Sequence, residues 1–177
     1  MTTRTNRRAT TRAAAIAASA VLATTGLLAT GDMAAARTTD GNAAATLSSG
    51  ESLSPGDRLG TGDAHLVMQG DGDLVLYTAG GDGAGPQPRW RSGTTGEGNR
   101  AVMRADGNLV VTAKDGGVLW ESRTGGADCL HLPVTRLTVR PDGDMSILTM
   151  PNSEAPYVIR LWSAGLGLQF PCGSAAR

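Results

Sequence analysis

Aromatic side chains are scarce: 177 residues hold three Trp, two Tyr and one Phe, 3% of the chain. Leu, Val, Met and Ile must therefore carry the burial, and each Trp occupies a position that needs a reason. Net charge is lacking too, because 16 basic and 16 acidic groups cancel. The balance is uneven along the chain. Arg4, Arg7, Arg8 and Arg12 face only Asp32 within the first 36 residues, leaving 12 basic against 15 acidic groups beyond them. No basic stripe interleaved with aromatics occurs there, which argues against a nucleic-acid partner. Long helical patterns are missing as well. With 25 Gly and only short apolar runs, many tight turns between short strands are expected, in one domain long enough for a real core.

Cysteine is limited to Cys129 and Cys172, and histidine to His65 and His131. No ligand spacing relates the four, so neither a metal nor a cofactor is expected. The N-terminal segment has a pattern of its own: a basic stretch, an uncharged run over 13–30, then Ala34, Ala35 and Ala36 at the small-residue positions of a cleavage site. Residues 1–36 read as a secretory signal peptide, giving a secreted, extracellular chain with no stable membrane insertion after cleavage. Arg7-Arg8 raises the twin-arginine route, although the residues that follow lack its usual apolar pair. Outside the cell Cys129 and Cys172 are expected to pair, which would be worth about 4 kcal/mol in the chain-entropy model.

Residues 37–45 are polar and Ala-rich and read as a flexible lead-in; the domain is expected over 46–166, and 167–177 as a C-terminal tail. Within the domain one pattern occurs three times: Met68-Gln69-Gly70-Asp71-Gly72-Asp73-Leu74-Val75-Leu76, Met103-Arg104-Ala105-Asp106-Gly107-Asn108-Leu109-Val110-Val111, and Val139-Arg140-Pro141-Asp142-Gly143-Asp144-Met145-Ser146-Ile147. The central Asp is displaced by 35 and then 36 residues. Each copy is followed by one of the Trp residues, Trp90, Trp120 or Trp162, and the first two open a Trp-x-Ser-x-Thr-x-Gly segment. So many coincidences mark an internal repeat.

Alternation assigns the faces. Leu66, Met68, Leu74 and Leu76 share one parity, as do Ala101, Met103, Leu109 and Val111 in the second unit and Leu137, Val139, Met145 and Ile147 in the third. These sets point inward, and the polar sets between them point outward. Keeping both flanking strands on one face needs a hairpin loop with an odd number of residues, and three suits Asp-Gly-(Asp/Asn), whose Asp and Asn tolerate the left-handed conformation. Along a straight strand Gln69 and Tyr77 would lie about 26 Å apart; a hairpin folds them into one small polar cleft. Insertions at 79–89 and 151–156 read as surface loops.

At these residues the chain resembles the bulb-type, or monocot, mannose-binding lectins, whose repeats carry Q-x-D-x-N-x-V-x-Y. The resemblance implies an all-β fold, a type II β-prism of three four-stranded antiparallel sheets with pseudo-threefold symmetry, Trp90, Trp120 and Trp162 in the core at the axis, and one monosaccharide site per sheet. Carried over residue by residue, the first carbohydrate site is Gln69, Asp71, Asp73, Val75 and Tyr77, with four of five positions kept and Asp73 in place of Asn. In the family Gln, Asp and Asn bind sugar hydroxyls, Tyr adds a hydrogen bond and Val gives the ring an apolar surface. A weaker second site is Arg104, Asp106, Asn108 and Val110, with Thr112 in the Tyr position. Its Arg can pair with Asp106 and fill the cleft. The third, Arg140, Asp142, Asp144, Ser146 and Leu148, keeps only the first Asp and is not expected to bind mannose.

The partners this implies are glycans, of the mannose type, with anionic sugars at sites two and three if their arginines stand unpaired. A homodimer is open, because exchange of C-terminal strands occurs in the family, whereas a bond from Cys172 to Cys129 would keep the tail on its own subunit. Catalysis is not expected. Asp71 and Asp73 are neighbours in a turn instead of flanking a scissile bond, and neither His has an evident orienting partner. The rival reading is a prism scaffold that has lost sugar binding and recognises protein, as an inhibitor, adhesin or toxin.

Overall fold

The twelve inward positions assigned by alternation are all buried, none more than 1% exposed. They sit in a computed structural model that describes residues 43–125, 134–150 and 157–169. The signal segment, Cys129, Cys172 and the insertion at 151–156 lie outside the described residues.

Three antiparallel sheets surround this core. The first holds β3 (Arg58–Thr61), β4 (Ala64–Met68), β5 (Leu74–Thr78) and β6 (Gln87–Arg91), in that order. The second runs β2 (Ser52–Leu53), β7 (Arg100–Met103), β8 (Leu109–Thr112) and β9 (Val118–Glu121). In the third, β1 (Ala45–Ser48), β10 (Val134–Val139), β11 (Met145–Met150) and β12 (Ile159–Ser163) are joined by β13 (Gly167–Leu168). The prism is thus as expected, except that its third sheet has five strands. The extra strand, only two residues long, falls in the span read as tail. Strand β1 begins at Ala45, which is fully buried, one residue before the expected domain start.

Each sheet's inner face sends its Leu, Met, Val or Ile to a common interior, which the three Trp rings close. Their centroids are 5.2, 5.4 and 5.8 Å apart and their planes cross at 72–81°. Edge-to-face contact suits the ring quadrupoles, worth about 0.5–1.5 kcal/mol per pair beyond burial. A bulge delivers each ring. Pairing slips by one residue between Leu76 and Tyr77, between Val111 and Thr112, and between Ile147 and Leu148. Arg89, Leu119 and Leu161 are the added residues, each just before its Trp. Such an insertion raises twist and re-aims the strand.

The turns keep the expected odd count but in a different frame. Gln69 N–H donates to the Asp73 carbonyl at 2.8 Å and Gly72 N–H to the Gln69 carbonyl at 3.1 Å. The three-residue loop is therefore Gly70, Asp71 and Gly72, and Asp73 closes it opposite Gln69, one residue before β5. Units two and three repeat both bonds at Arg104 and Asn108 and at Arg140 and Asp144. The left-handed residue is glycine, not Asp or Asn: φ is +93°, +85° and +82° at Gly72, Gly107 and Gly143. Without a Cβ, glycine takes that conformation without strain. The insertion at 79–89 is loop only as far as residue 86, because β6 starts at Gln87.

Candidate functional site

In all three units the turn Asp first serves its own backbone. Oδ1 of Asp71, Asp106 and Asp142 accepts the N–H two residues on, at 3.1, 3.0 and 3.0 Å. That is an Asx turn, and it explains the residue without any ligand. The units separate at the second carboxylate oxygen. In unit two, Arg104 Nη2 lies 3.4 Å from Asp106 Oδ2, and in unit three Arg140 Nε lies 3.6 Å from Asp142 Oδ2. In unit one the position of these arginines is Gln69, whose Nε2 donates instead to the Tyr77 hydroxyl at 2.7 Å. The hairpin thus joins two residues that are eight apart in sequence. The condition for anionic sugars at sites two and three fails, because both arginines are paired.

The residue after the turn glycine has a structural role that its spacing does not reveal. Asp73 is only 8% exposed; its Oδ1 accepts from Ser92 Oγ at 2.8 Å and Gly93 N–H at 2.9 Å. Asn108 does the same for Ser122 Oγ and Thr124 N–H, at 2.9 and 3.2 Å. Ser92 and Ser122 also accept from Leu74 N–H and Leu109 N–H, while Thr94 and Thr124 donate to the carbonyls of Gly72 and Gly107 at 2.6 and 2.7 Å. The Trp-x-Ser-x-Thr segment is a lock across the turn. Only one oxygen of residue 73 is needed for it, so Asp can replace Asn. The other group differs: Asn108 Nδ2 donates to Glu121 Oε2 at 3.0 Å, whereas Asp73 Oδ2 stands 4.0 Å from Arg91 Nε. In unit three Asp144 Oδ2 accepts from Ser146 Oγ at 2.9 Å and Arg160 Nη2 at 3.3 Å.

Val75 and Val110 are 1% exposed and form floors, not open surfaces for a ring. The accessible side chains of the first cleft are Gln69, Asp71 and Tyr77, joined by His65, which is Tyr77's cross-strand partner on β4. Burial lowers the His65 pKa, the nearby Arg58 lowers it further and Asp63 opposes both, so the imidazole is neutral at pH 7. Sequence reasoning missed His65, although its parity with Gln69 placed it on the outward face. In unit two the Tyr position is Thr112, which lines an open cavity of about 630 Å³ with Pro55, Glu97, Arg100 and Lys114. Among the described residues no three His, Cys, Asp or Glu side chains cluster in a way that could hold a metal, and no helix is long and apolar enough to cross a membrane.

Three sheets, an axial Trp triangle and turn-centred clefts define a type II β-prism lectin, and solved structures agree. The mannose-specific agglutinin of snowdrop (Galanthus nivalis) bulbs, solved with methyl-α-D-mannoside, is 30% identical over 64% of this chain and 97% of its own, with a TM-score of 0.51. The Polygonatum cyrtonema lectin, complexed with monomannoside, is 30% identical over 64% and 99%, at 0.50. A monomeric monocot mannose-binding lectin from Gastrodia elata is 26% identical over 70% and 99%, at 0.51. No family model and no curated protein sequence matches the chain. The chain belongs to the monocot, or bulb-type, mannose-binding lectin family, and the matched proteins are lectins, not enzymes.

Proposed function

We propose that this chain is a secreted carbohydrate-binding lectin that takes mannose-type hexoses through one cleft, that of the first unit. The observation that carries this reading is the Gln69–Tyr77 hydrogen bond at 2.7 Å, set against the Arg–Asp pairs that occupy the same place in the other two units. Gln69 uses one amide hydrogen on Tyr77. Its carbonyl, its second amide hydrogen, the Tyr77 O–H and the outer oxygen of Asp71 then offer donors and acceptors side by side, as adjacent sugar hydroxyls require. Val75 and Asp73 support the cleft from beneath. One exposed hexose site binds with a Kd of about 1 mM, or −4 kcal/mol, so useful affinity needs multivalent glycans.

The N-terminal pattern supports export. A glycan array on the mature domain tests the function. Mannose-type glycans should bind wild type and fail with Gln69→Ala. Silence across the array would favour recognition of protein by a prism that has lost its sugar.

A further inference from the structure

The floor of the first cleft is a row across four strands: Arg58 on β3, Val67 on β4, Val75 on β5 and Arg91 on β6, each paired in register with the next. The equivalent row of the second unit is Ser52, Val102, Val110 and Glu121. That of the third is Thr46, Thr138, Ser146 and Ser163. Only the first row ends in a guanidinium at both edges, about 14 Å apart at ordinary strand spacing. The pairs at residues 73 and 91 and at 108 and 121 are also inverted. Unit two couples an amide donor to an outer carboxylate; unit one couples an inner carboxylate to an outer cation.

From this geometry we infer that the first cleft selects saccharides bearing an anionic group, carboxylate or sulfate, with Arg91 as the specificity-determining residue. The inference rests on the sugar reading of the same cleft. Arg91 meets Asp73 through Nε at a loose 4.0 Å, and its side chain is 62% exposed, so both Nη groups remain for two oxygens of an anion. Asp73, held by Ser92 and Gly93, keeps a carboxylate beside the guanidinium's base. Asp71, exposed at the turn, repels an anion from that end and keeps it for neutral hydroxyls. At the far edge stands the second cation, Arg58, with Asp63 and neutral His65 beside it. The ligand is thereby oriented, hydroxyls toward Gln69, Asp71 and Tyr77 and the anion toward β6.

Calorimetry with methyl α-D-mannopyranosiduronate and methyl α-D-mannopyranoside tests this on the mature chain. Wild type should prefer the acidic glycoside by about tenfold in low salt, with the preference shrinking as salt rises. R91E should reverse that ratio. D73N/R91E, which copies the pair of unit two, keeps the local lock intact and should reverse it too, so lost folding cannot imitate the result. A wild type that binds both glycosides equally, with a ratio unmoved in either variant, overturns the inference and leaves the sugar reading standing. If neither glycoside binds, the sugar reading falls and the inference with it.

Discussion

Units one and two have nearly the same hydrogen-bonded skeleton and opposite chemistry at their mouths. In each, a turn Asp caps its own backbone, a glycine takes positive φ, and a Ser and a Thr from the segment after the Trp lock the turn. Yet Gln69 reaches Tyr77 where Arg104 pairs with the turn Asp106, and Arg91 stands where Glu121 does. Structural equivalence survives because the skeleton uses inward and main-chain groups. Functional equivalence does not, because it depends on outward side chains that the fold leaves free to vary.

The strongest way to break the structural half of this comparison is in the core. Leu74, Leu109 and Met145, equivalent in the three repeats, are all fully buried just after their turns. Replacing any one by Ala should cost about 2–5 kcal/mol in urea denaturation, with the three values close together. A much smaller loss in one unit would show that the interior is not threefold. Next come the locks: Ser92→Ala and Ser122→Ala should each cost about 1–3 kcal/mol, since each leaves a strand N–H without its acceptor and takes one of two donors from the buried oxygen of residue 73 or 108. Unequal losses would mean that Asp73 and Asn108 do different work.

The smallest effect concerns pH. His65 has a folded pKa below its unfolded value, so its neutral form is favoured by folding. That stability is complete above about pH 6.5, the ordinary value for histidine, and declines as pH falls through the lowered pKa. His65→Gln should flatten the melting temperature over that acidic range, and an unchanged profile would remove His65 from the account. Units two and three have no histidine in this place, so the effect belongs to unit one.

Much of the fold could be read from the sequence because a period of two is unambiguous when polar and apolar residues alternate on both sides of a turn. The twelve core positions follow from that alone. The turn frame differs from the expected one by one residue, because Asp and Gly are both turn formers and only the backbone decides which takes positive φ. Asp73 looked like a ligand group because its partners, Ser92 and Gly93, lie 19 and 20 residues away. Arg91 and His65 gained meaning only from strand register. The bulge before each Trp left no trace in a comparison of repeats, since all three units share it. Strand β13, at two residues, is too short for any periodicity.

Nuclear magnetic resonance mapping of the ¹⁵N-labelled protein against methyl α-D-mannoside tests the central claim, one sugar site in a threefold fold. Saturable shifts should gather at Gln69, Asp71, Val75 and Tyr77 and vanish with Gln69→Ala. Equal shifts at Arg104 to Asn108 or at Arg140 to Asp144, or shifts that persist in the variant, would contradict it.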